Sequence, residues 1–164
     1  MLLNKLQTKR EQNGFTLIEL LIVITIIGIL AVAVLSAINP IEQIRRAQDQ
    51  GLESDSAELL NAFERYYTAF FEYPWDALGG SDPDESLVSL NLPWLDELIA
   101  KEEVKSQFRN RDSWDQVYVT QTGGSVSLCF DPESATFQSQ ADEDGKNRDG
   151  SSGCSSDCYV CIPR

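Results

Sequence analysis

Glu19 is the first residue whose chemistry demands an explanation. From residue 15 to residue 38 it is the sole ionisable side chain in an apolar run of 24 residues. A carboxylate placed in hydrocarbon costs on the order of 2.5 to 3.5 kcal/mol on insertion scales, so it needs a cationic partner or a place at the membrane interface. A second set is Cys129, Cys154, Cys158 and Cys161, all within the last 36 residues. Their even number and clustering read first as two disulfides, with three pairings open. The same four thiolates could instead form a zinc tetrahedron, and Cys158-Tyr159-Val160-Cys161 has redox spacing, though without the βαβ context that motif wants. A third set is Asp142, Asp144, Asn147 and Asp149, whose oxygens suit calcium. An EF-hand register begun at Asp142 would put Lys146 where an oxygen is required, and no Glu closes the loop. A solvated acidic loop is the competing reading.

The totals exclude several classes. With no His, the commonest general base and metal ligand is missing, and Ser-His-Asp or Cys-His catalysis cannot be built. Thirteen Lys and Arg stand against 26 Asp and Glu, a formal charge of -13 that is wrong for nucleic acid. The 164 residues suit one ordinary domain plus an anchor. We therefore expect a protein that is not an enzyme and has no obligatory cofactor.

The elements that must position these residues follow from pattern. Residues 1–14 carry Lys5, Lys9 and Arg10 against Glu11, a basic lead that stays in the cytoplasm ahead of an apolar span. Residues 15–38 would give roughly 36 Å of helix, enough to cross a bilayer and too long for a secretory signal peptide. Pro40 predicts a helix break or bend near residues 36–40. From residue 41 to residue 71, Ile41, Ile44, Leu52, Leu59, Phe63, Tyr66 and Phe70 recur at helical spacing, with Glu42, Arg45, Arg46, Asp49, Glu53, Asp55, Glu58 and Glu64 on the other face. One helix of more than 50 residues is expected, its second half packing a head. The aromatics Phe63, Tyr66, Tyr67, Phe70, Phe71 and Tyr73 read as core.

Tyr73-Pro74-Trp75 should end the helix, and residues 79–84 form a loop by their turn residues. A short helix is expected at about residues 93–100, followed by charged residues 102–111 without a period. Residues 116–120 and 125–130 alternate around Gly123-Gly124, a hairpin signal. Val126, Leu128 and Phe130 should face the helix, with Cys129 on the opposite face. Residues 135–138 and 159–162 are candidate further strands. The fold class is α+β, a long amino-terminal helix on a three- to four-stranded antiparallel sheet.

The string Lys9-Arg10-Glu11-Gln12-Asn13-Gly14-Phe15-Thr16-Leu17-Ile18-Glu19-Leu20 resembles the processing site of type IV pilins and type II secretion pseudopilins. The resemblance implies a pilin fold and four parts: a leader at 1–14, a transmembrane and filament-core segment at 15–38, an amphipathic half at 39–71, and a head at 72–164 with a disulfide-tied carboxy-terminal loop. It implies that a membrane peptidase cuts after Gly14 and methylates the new amino terminus at Phe15. Other implied partners are further copies of the chain, an inner-membrane platform protein and an assembly ATPase. The chain would sit in the inner membrane with its head outside the cytoplasm, then in a surface or periplasmic filament. Glu19 lies four residues from Phe15, about one turn or roughly 6 Å along the axis, so it could meet the freed ammonium of a neighbouring copy and set the register of assembly. Family members commonly carry a helix-breaking Pro in this part of the anchor, the place of Pro40. Some secretion pseudopilins bind calcium in the loop equivalent to residues 142–150. Asp112-Ser113-Trp114-Asp115-Gln116-Val117-Tyr118 resembles the segment entering the sheet of secretion-type major pseudopilins. A surface pilus subunit is the leading expectation. A secretion or DNA-uptake pseudopilin keeps the fold and changes the role, and a membrane-tethered extracellular binding module is the alternative of another class.

Overall fold

The computed structural model describes residues 14–37 and 39–163. The basic lead before Gly14 lies outside the described residues. Two compact units divide the chain, Met1–Pro40 and Ile41–Arg164.

The first unit is built on helix α1, Leu17–Ala37. Its side chains are apolar all round, the pattern of a helix that lies in a core or in lipid, not of an amphipathic surface helix. The stretch Leu17–Ser36 is long and apolar enough to cross a membrane, and it is not buried within the chain itself. The start of α1 is set by Thr16, whose hydroxyl accepts from the Glu19 backbone N–H at 3.2 Å while Glu19 Oε2 accepts from the Thr16 backbone N–H at 2.9 Å. That reciprocal pair is a capping box, satisfying backbone donors that a helix start leaves open.

The expected helix of more than 50 residues is two helices. α1 ends at Ala37 and α2 begins at Pro40. Pro has no N–H to give and a φ already suited to a first turn, so it starts α2 at no hydrogen-bond cost where it would have broken a helix interior.

The second unit holds the core. Helix α2, Pro40–Phe70, buries Leu52, Leu59, Ala62, Phe63 and Tyr66. These join Val117, Val119, Val126, Leu128, Phe130 and Val160 of the sheet in one hydrophobic cluster, with Trp75, Trp94, Leu95, Leu98 and Trp114 from the connections. The sheet has four antiparallel strands in the order β1 (Ser86–Leu87), β2 (Val117–Thr122), β3 (Ser125–Phe130), β4 (Val160–Ile162). Gly123 and Gly124 both have positive φ, which is why this tight β2–β3 turn takes two glycines. Helices α3 (Pro74–Ala77) and α4 (Leu92–Ala100) and three 3-10 turns, Val88–Asn91, Ser106–Asn110 and Asp112–Asp115, fill the connection. Tyr66 Oη donates to Glu97 at 3.0 Å, Trp75 Nε1 to Gln121 at 2.7 Å and Trp114 Nε1 to the Phe108 carbonyl at 2.7 Å, so the buried aromatics keep their polar ends paired.

Four expectations are corrected here. Residues 135–138 are not a strand but the start of helix α5, Ala135–Asp144. Ser134 caps it by accepting from the Phe137 N–H, and Gly145 closes it at φ 58°. Asp49, placed by periodicity on the solvent face, is fully buried. Ile41 and Ile44, placed on the packing face, are exposed because the head does not extend over the first turn and a half of α2. Of the aromatic group, Phe63, Tyr66 and Tyr73 are core, whereas Tyr67, Phe70 and Phe71 are exposed.

Candidate functional site

The site that the sequence singles out is the amino-terminal end of α1. Gly14, Phe15 and Thr16 are irregular and exposed, and Glu19 follows in the first helical turn. Among the described residues nothing packs within 4 Å of where a Gly14 Cβ would stand. Glu19 Oε2 accepts from both the Thr16 N–H and the Thr16 hydroxyl, the latter at 2.8 Å. The carboxylate is therefore held by its own helix start. Sequence reasoning paired Glu19 with Phe15 and passed over Thr16, although Thr-x-x-Glu ahead of an apolar run is the readable signature of a capping box.

The cysteines form two disulfides, Cys129–Cys161 and Cys154–Cys158. The register of β3 and β4 sets the first, because it places Cys129 directly opposite Cys161. The second closes a loop of four residues' separation beside it. This pairing removes the four-thiolate zinc reading, and no Cys158–Cys161 redox bond exists. Cys129 does lie on the sheet face away from α2, yet it is buried, because the bridge and the Asn147–Gly150 loop cover it.

The calcium candidates divide between helix α5 and the turn that follows it. Asp142 and Asp144 belong to α5. Asn147 Nδ2 donates to Ser151 Oγ at 2.9 Å, and Asp149 Oδ1 accepts from the Ser151 N–H at 2.8 Å, so the loop uses those groups to hold its own turn. Hydrogen bonding from the Ser151 side chain first, and then from its backbone N–H, holds the Asp149 carboxyl below its ordinary value. Asp142 instead lines a cavity of about 120 Å³ with Asp131, Gln138, Asp157 and Cys158. Desolvation, then the nearby charges of Asp157, Asp49 and Glu133, push the Asp131 carboxyl up. Among the described residues no group of three or more His, Cys, Asp or Glu is arranged to hold a metal ion.

An exposed Gly-Phe junction, a helix start holding Glu19 and a membrane-length apolar helix together fit a membrane-anchored chain. Residues 9–35 match the prokaryotic N-terminal methylation motif. Over 66 residues the chain is 41% identical to type II secretion system core protein G of Aeromonas hydrophila, covering 40% of this chain and 45% of that protein. The match thus spans less than half the length of that relative. No solved structure matches the chain.

Proposed function

We propose that this chain is a precursor of a structural subunit of a type IV pilus-like filament. A prepilin peptidase cuts after Gly14 and methylates Phe15, and α1 holds the product in the inner membrane with the head outside the cytoplasm. Copies delivered to a platform protein and its assembly ATPase then polymerise through their amino-terminal helices. The observation that carries this is the methylation motif at residues 9–35, laid over Gly14, Phe15 and Glu19 at the start of a membrane-length helix.

The cut changes what Glu19 can do. Before it, the Phe15 nitrogen is an amide and Thr16 supplies the donors to Glu19. Afterwards Phe15 carries an ammonium one turn from the carboxylate, and a neighbour's ammonium can replace the neutral donors with a charged one in a medium of low dielectric. Such a contact rewards one stagger between helices. After processing, ten Lys and Arg face 25 Asp and Glu, which makes the head surface strongly acidic and soluble.

The similarity to core protein G favours a second reading with the same fold, a pseudopilin working in a secretion system. Shearing cells and analysing the released fibres tests the main reading: subunit lacking residues 1–14 in surface fibres supports a pilus. A processed subunit found solely in the envelope, whose loss stops protein export, would support the pseudopilin instead.

A further inference from the structure

Arg45 and Arg46 stand out in a chain of this charge. Five of the nine cationic side chains in the described residues make an ion pair: Arg65 with Glu103, Lys101 with Glu97, Arg109 with Asp96, Arg111 with Asp55 and Glu58, and Arg148 with Glu85. Arg45 and Arg46 are adjacent, exposed, and paired with no carboxylate among the described residues. Beside them Ile41 and Ile44 are 62% and 60% exposed. Two large apolar side chains and two free guanidinium groups thus ring the first two turns of α2. The core of the head contains no residue before Leu52, so folding of the head does not account for them.

Chain connectivity says what lies nearby. Ile41 is five residues beyond the end of the apolar stretch at Ser36, and Arg46 is ten beyond it. Even fully extended, five residues span at most about 18 Å, so the start of α2 stays within reach of the headgroup layer. Residues 47–64 contain no Lys or Arg, so an anionic surface attracts the two arginines and not the turns of α2 that follow them.

We propose that Ile41, Ile44, Arg45 and Arg46 form a collar that binds the headgroups of anionic lipid on the outer side of the membrane. The isoleucines enter the acyl–headgroup boundary and the guanidinium groups take lipid phosphates in bidentate hydrogen bonds. The collar fixes the depth of the anchored subunit and holds the acidic head off the surface. This rests on α1 spanning the membrane, as proposed above.

Hydrogen exchange of the full chain in nanodiscs tests it, one copy per disc, in phosphatidylcholine alone and in phosphatidylcholine with phosphatidylglycerol. Amides of residues 41–48 are expected to exchange about fivefold or more slowly in the anionic discs, the effect of one or two arginines at a charged surface. Added salt and the R45Q/R46Q double variant should each remove that difference while leaving residues 17–36 protected. Equal exchange in both lipids, with residues 17–36 protected, overturns the collar and leaves the anchor standing. Free exchange of residues 17–36 overturns the anchor and the collar with it. Slowing of residues 41–48 that needs several copies in one disc assigns the ring to a second subunit and also overturns the proposal.

Discussion

Asp49 on α2 and Ser134 at the start of α5 are 85 positions apart, yet the Asp49 Oδ2 accepts from the Ser134 N–H at 2.8 Å and from its hydroxyl at 2.5 Å. Asp49 Oδ1 takes the Glu133 N–H at 3.1 Å. Both side chains are fully buried, so three donors depend on one carboxylate with no water to replace it. Asp49→Ala should cost on the order of 3 kcal/mol, and Ser134→Ala about 1 to 2 kcal/mol. Urea unfolding of the detergent-solubilised chain measures both. If both bonds act through the same contact, the double variant should lose clearly less than the sum of the two singles.

This contact also shows where the sequence was readable and where it was not. The β2–β3 hairpin was legible because alternation and Gly123-Gly124 are local signals. Helix α4 and strand β4 were legible for the same reason. Residues 135–138 were not, since Ala-Thr-Phe-Gln has no decisive period of its own. Their helical state is settled by the Ser134 cap, and the cap by an aspartate that sequence places far away. Asp49 was misplaced because periodicity gives a face and not what covers it; Ile41 and Ile44 failed for the converse reason. At the candidate site Gly14, Phe15 and Glu19 were conspicuous. The role of Thr16 was legible but overlooked. The pairing of Cys129 with Cys161 needed the β3–β4 register, a long-range property.

The two disulfides should differ in what they contribute. Cys129–Cys161 spans a separation of 32 residues and Cys154–Cys158 a separation of 4. On loop-closure entropy the first restricts the unfolded chain by about 3.5 to 4 kcal/mol and the second by about 2 kcal/mol. The C129S/C161S variant is therefore expected to melt well below C154S/C158S in calorimetry. The reverse order would mean that the small loop orders more of the tail than its length suggests.

Asp131 should make the head less stable as pH rises. Its folded pKa lies above the ordinary value of 3.8, so the folded state holds the proton more tightly than the unfolded chain does. Stability tied to this group is present below about pH 3.8 and is lost as pH climbs through the raised folded value. The group is partly open to water, so the effect is modest. Asp131→Asn is expected to raise the melting temperature at pH 7 by roughly a degree or two, with the gain vanishing under acid conditions. A lower melting temperature at pH 7 would contradict this.

Calcium should leave the head unchanged. Asp149 and Asn147 are engaged with Ser151, and Asp142 faces a different cavity. Millimolar calcium is expected to give no binding heat in titration calorimetry and no rise in melting temperature. A stoichiometric heat lost in Asp149→Asn would show that the loop rearranges into a site.

Glu19→Ala should leave membrane insertion and cleavage intact, because the apolar span and the Gly14–Phe15 junction are untouched, while filament assembly fails. Restoring normal filaments by any neutral residue at this position would show that the carboxylate does not set the register.

The central claim is that Gly14–Phe15 is a processing junction ahead of an anchor that becomes a filament core. Intact mass and fragment spectra of the native protein from membranes test it directly. The account predicts a chain that begins at Phe15 and carries one added methyl group on its α-amino nitrogen. A native chain that keeps residues 1–14, or one cut elsewhere with an unmodified amino terminus, would contradict it.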